Sequence, residues 1–168
     1  MLYRILSFAA AALLCGSVAH ANVVRQSGGA VQQVVEVSDN YHRATQSNCD
    51  SGWANMPDAF VSIKIPAGSN QLLTVRFTGE ASAGDQNGGA DYGALRIMMG
   101  QRELLPADPT NIYFASIPGY NLPAALERSI IAVPGVHTIQ VQFCVGGSIG
   151  AEMDVYDWHL TVEANPLQ

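Results

Sequence analysis

Gly146-Gly147-Ser148-Ile149-Gly150 is the segment whose residue types and spacing come nearest to catalytic chemistry. It fits G-x-S-x-G, in which a tight strand-to-helix turn thrusts the serine outward as a nucleophile. Asp157 and His159 follow in the acid-then-histidine order of such a hydrolase. The surroundings oppose this chemistry. The residues after 150 alternate as a strand, not a helix, and no repeated βα pattern supplies the sheet. Asp157 and His159 lie two apart on one strand and share a face. A glycine-rich loop between two strands accounts for the segment more simply. No catalytic residue is therefore assigned, and a serine hydrolase is the lesser alternative.

Metal chemistry has two candidate locations. In the loop 82–93, Asp85, Asn87 and Asp91 offer oxygen ligands, and Gly88 and Gly89 let the backbone curl around an ion. Calcium takes six to eight such hard oxygens, so Asp154 or Glu152 from another loop would have to complete the set. The EF-hand spacing is not met: Gly89 is fifth in the loop, Ala90 sixth, and no glutamate closes it. A solvated loop between strands is the competing reading. Of the histidines outside the leader, His42, His137 and His159, none has zinc-motif spacing. His137 and His159 are expected on adjacent strands, where they and Asp157 would form a second metal candidate, against a reading as ordinary polar residues.

Recognition chemistry rests on aromatic side chains. Trp53, Tyr92, Tyr113 and Tyr120 stand in or beside loops that also hold Asp and Asn, the combination used to stack and hydrogen-bond a sugar. Trp53 has a second reading, packing over a neighbouring disulfide. Trp158 stands at an alternating strand position and is expected in the core.

The elements that must carry these residues are strands. Short β-rich runs separated by turn residues fill the chain from 31 onward. In 58–65, Val61, Ile63 and Ile65 alternate with Phe60, Ser62 and Lys64; in 72–78, Leu73, Val75 and Phe77 share a face. Further runs are 31–37, 92–99, 102–105, 111–117, 126–133, 136–145 and 153–162, the last with Tyr156, Trp158, Leu160 and Val162 on one face. Helical character is confined to a single turn at 123–128. The pattern predicts an all-β, two-sheet antiparallel sandwich of about 8–10 strands. Cys49 and Cys144, 95 residues apart, are expected to form one disulfide, because neither has the basic neighbour of a reactive thiol.

Three stretches, 72–77, 133–141 and 157–162, resemble the jelly-roll sandwiches of the C1q/tumour-necrosis-factor-like group. The resemblance implies a jelly roll that self-associates, often as a trimer, and binds partners. The chain departs from that group in lacking a collagen-like stalk.

The ends and the composition frame the function. Arg4, the apolar run 5–14 and Ala19-His20-Ala21 read as a bacterial-type signal peptide over 1–21, too short to span a bilayer. Lipidation at Cys15 competes with it, but Leu14 is not the small residue expected there. A lead-in at 22–30, one domain over 31–164 and a tail at 165–168 follow. Beyond Ala21, seven Lys and Arg face fourteen Asp and Glu, a formal charge of −7. That excess disfavours nucleic acid and anionic membranes. The expectation is a secreted or periplasmic module that binds a protein or a carbohydrate. The alternative is a self-assembling component of a surface layer or matrix. Calcium is the sole candidate cofactor, and no stable membrane insertion is expected.

Overall fold

Alternation of apolar and polar side chains gives a strand one face to bury, so two such sheets can close over each other. The computed structural model describes residues 33–45, 49, 52–84, 92–106, 113–115, 120–147 and 151–167, with backbone alone at 33–35, 41–45 and 113. The expected signal peptide and lead-in lie outside these residues, as do Asp85, Asn87, Asp91 and Ser148. The strands are β1 (Gln33–Thr45), β2 (Ala54–Ile65), β3 (Gln71–Gly84), β4 (Tyr92–Met99), β5 (Arg102–Glu103), β6 (Tyr113–Ala115), β7 (Leu122–Ala132), β8 (Gly135–Gly146) and β9 (Glu152–Pro166). Among the described residues there is no helix.

One sheet has the order β1-β9-β3-β7, and the other β2-β8-β4-β5 with β6 also paired to β4. All the pairs are antiparallel. From β1 to β4 and again from β7 to β9, each strand lies in the opposite sheet to the one before it. That is the double Greek key of a jelly roll, the predicted class. Val61, Ile63 and Ile65 from one sheet meet Leu73, Val75 and Phe77 from the other in a single buried core. Trp158 is in that core as expected, 1% exposed and stacked on Phe77 at 5.7 Å between centroids. The disulfide links Cys49 to Cys144, so it ties the β1–β2 connection to the end of β8.

Two local expectations are corrected. The 123–128 segment is strand, not a helical turn. Ala, Leu, Glu and Arg favour helix weakly, but pairing with β3 from Ala81↔Leu122 to Gln71↔Ala132 outweighs that preference. Pro123 is tolerated because β7 is an edge strand and the proline sits at its start. Tyr156 also does not share one unbroken face with Trp158. Asp157 has a left-handed φ of 45° and forms a bulge with Trp158 opposite Gly79, where the β3–β9 register shifts. Met153 and Val155 are buried before the bulge, and Trp158, Leu160 and Val162 after it. Gly79 lets the strands approach closely there, since a Cβ would meet the Tyr156 carbonyl at 3.2 Å and the Trp158 Cβ at 3.1 Å.

Candidate recognition face

The five-stranded sheet turns Leu95, Ile97, Val141 and Phe143 inward, so residues one step out of phase face solvent. Register then decides which of them meet. Asn55 of β2 lies opposite Gln142 of β8, and Gln142 lies opposite Arg96 of β4. The three side chains form one row across three strands. The Gln142 amide donates from Nε2 to Asn55 Oδ1 at 2.8 Å, and its Oε1 accepts from Arg96 Nε at 2.8 Å. The guanidinium of Arg96 in turn lies over the Trp53 ring, 4.6 Å from its centroid. Burial pushes the Arg96 pKa down, and the nearby charge of Glu103 partly opposes that.

A distortion in β2 places this row. Between Asn55 and Phe60 the pairing with β8 slips, leaving residues 56–59 bulged opposite a single residue. Carbonyls in such a bulge lose their ladder partners and need others. Gln140 supplies them: its Nε2 donates to the Met56 carbonyl at 2.9 Å and the Ala59 carbonyl at 3.2 Å. Met56 and Ala59 fill the core, while Asp58 turns through a left-handed φ of 58°.

The disulfide forms the floor. Cys49, Ala94 and Cys144 make a small buried cluster against which Trp53 and Tyr92 pack. Tyr92 lies over Gly146, and a Cβ at that glycine would run into the phenol ring. Two of the predicted ligand-binding aromatics, Trp53 and Tyr92, are thus brought together on the disulfide. In Trp53 the two expectations meet, since it packs by the disulfide and also supports Arg96. Tyr113 adds its backbone beside Ala94. Tyr120 is highly exposed and precedes β7, which belongs to the opposite sheet.

The described residues include one of the four calcium candidates. Asp154 is half-buried on β9, but Asp85, Asn87 and Asp91 lie outside the described residues. His137 and His159 are not on adjacent strands, which corrects the sequence expectation: β8 and β9 belong to different sheets. His137 Nε2 is 2.7 Å from the Val133 carbonyl, and His159 Nδ1 is 3.1 Å from Glu36. No group of three or more metal-ligating side chains occurs among the described residues.

Sequence reasoning missed Asn55, Arg96 and Gln142. The polar alternation Gln140-x-Gln142 was visible, but the strand pairing that unites the row was not. The polypeptide that carries this row is a disulfide-bonded jelly-roll sandwich. No family model matches it, and no curated protein does. Among solved structures it is similar to the C-terminal CBM6 of LamC, a marine laminarinase from Zobellia galactanivorans. That likeness has a TM-score of 0.35 at 13% identity, over 77% of this chain and 98% of the other. A second likeness is to the enzymatically active domain of tailspike protein 4 of bacteriophage CBA120, with TM-score 0.30 and 14% identity. It covers 90% of this chain but spans only 18% of the tailspike chain.

Proposed function

We propose that this protein is an exported, non-catalytic binding module whose ligand is a glycan held on the outer face of β2, β8 and β4. The observation that carries the reading is the row Asn55–Gln142–Arg96 ending on the Trp53 ring. Planar amide and guanidinium groups offer paired donors and acceptors, which suit the neighbouring hydroxyls of a sugar. Phe60, half exposed on the same face, adds an apolar surface for a pyranose ring. Strands hold these groups more firmly than loops would. The Cys49–Cys144 bond supports an oxidising location outside the cytoplasm. No described helix is long and apolar enough to cross a membrane.

Affinity electrophoresis of the oxidised protein through immobilised polysaccharides, with and without calcium, tests the reading. At least one polysaccharide should retard the protein, and Asn55→Ala or Gln142→Ala should weaken that binding about tenfold. Free migration through every gel, or variants that bind as the parent does, would overturn it. A calcium-dependent difference would revive the ion site proposed at Asp85, Asn87, Asp91 and Asp154.

A second reading, self-assembly, is favoured by the opposite pole of the sandwich. Ile131, Val133 and Val136 are each more than half exposed there, and exposed apolar clusters commonly mark contact sites. The segments 64–72, 99–102 and 131–138 carry Lys64 and Arg102 and no Asp or Glu, within a chain of net charge −6. Such a pole is complementary in charge to the rest of a second copy. The trimer implied by the C1q-like resemblance is one form this would take. Light scattering reads the outcome directly: a monomer at high concentration removes this reading.

A further inference from the structure

We infer that Arg96 is an oxyanion receptor, so that the glycan bound here carries carboxylate or sulfate groups. This rests on the outer face of β2, β8 and β4 being the glycan surface. A guanidinium has five N–H donors in a planar fork that matches two oxygens of one anion. In Arg96 the Nε–H is taken by Gln142 and one face of the guanidinium by Trp53. Gln142 engages Nε alone, so the inference places the ligand on the two terminal amino groups. Gln142 cannot swing away freely, because Asn55 accepts from its other end. The fork is therefore positioned from the edge and from beneath before any ligand arrives, which lowers the ordering cost of binding.

The charge balance points the same way. Carboxylates outnumber cations fourteen to eight in the chain, yet among the described residues none is hydrogen-bonded to Arg96. Glu103 acts on it only through space. Arg76 shows what this protein does with an arginine that needs no ligand: Nε and Nη2 both donate to Glu127 Oε2, at 3.0 and 2.6 Å. Partial burial disfavours the Arg96 charge, and an incoming oxyanion would offset that cost. Arginine suits this task better than lysine, because its fork can grip a planar carboxylate with two parallel bonds.

Calorimetric titration with three oligosaccharides of matched length tests the inference: a polyuronate, a sulfated galactan and a neutral glucan. The two acidic probes should bind about tenfold more tightly than the neutral one, and the difference should shrink as salt rises from about 50 to about 500 mM. Arg96→Gln should abolish the preference for acidic over neutral probes, and Arg96→Lys should restore only part of it. The ratio between the two acidic probes tells carboxylate from sulfate. Gln142→Glu guards against misfolding of the arginine variants, because it adds a carboxylate beside Arg96 and should remove acidic-probe binding in a folded protein. Equal binding of neutral and acidic probes overturns the oxyanion inference and leaves the glycan reading intact. Binding of none of the three overturns both.

Discussion

The two sheets of the sandwich each carry an arginine on the outer face, and the two are treated differently. Arg76, on β3, is exposed to water and grips Glu127 of the neighbouring β7 with two hydrogen bonds; that carboxylate raises its pKa. Arg96, on β4, meets an amide and an indole ring, and burial lowers its pKa. The first charge is cancelled by the protein itself. Among the described residues the second is positioned by neutral groups, and the proposal gives its charge to a ligand. A positive charge on a surface is thus not informative by itself; what matters is whether its partner is an ion or a neutral scaffold.

The scaffold under Arg96 is also the covalently fastened part of the molecule, and the largest expected effect follows from that. Replacing Cys49 and Cys144 by alanine should cost about 2–5 kcal/mol, read as a lower thermal midpoint. The same change should weaken glycan binding, because Trp53 and Tyr92 lose their floor. Binding that survives unchanged in a folded double variant would separate the recognition face from the disulfide. A double-mutant cycle of Arg96→Ala with Trp53→Ala should give a smaller coupling, about 0.5–1 kcal/mol in chemical denaturation. A coupling of zero would mean that the ring does not hold the guanidinium. The smallest effect belongs to the other face: Arg76→Gln should leave both the melting temperature and the ligand affinity where they were, since exposed pairs contribute little. A loss of affinity there would invert the comparison.

Much of the architecture was legible from residues alone, for identifiable reasons. Period-two alternation is local, so the buried sets Val61/Ile63/Ile65 and Leu73/Val75/Phe77 could be read directly. With Cys15 assigned to a leader, the two remaining cysteines leave one pairing, and Trp158 announced itself by its phase. What depended on contacts distant in sequence was not legible. Helix-favouring residues at 123–128 concealed the first half of β7, whose partner lies some fifty residues earlier. The bulge at Asp157 changed the phase of β9 at a point no local rule marks, since it packs against Gly79 across the sheet. The recognition row failed to appear for the same reason: Asn55, Arg96 and Gln142 are ordinary polar residues until register brings them into line. Of the proposed site, the rings of Trp53 and Tyr92 were visible in the sequence, and the amides and guanidinium were hidden.

The pairing of β1 with β9 has a mechanical meaning. Gln33 and Ala164 are partners at one end of that ladder, Thr45 and Glu152 at the other, close to where the disulfide closes. The two strands flank the covalent ring formed by residues 49–144, and they leave it side by side. Tension applied through the segments beyond them would load the hydrogen bonds one pair at a time, as a zipper, and not all at once in shear. The edge strand β1 would peel first and at low force. The tear would then stop at the cystine, with the ring that bears Trp53, Arg96 and Gln142 still closed.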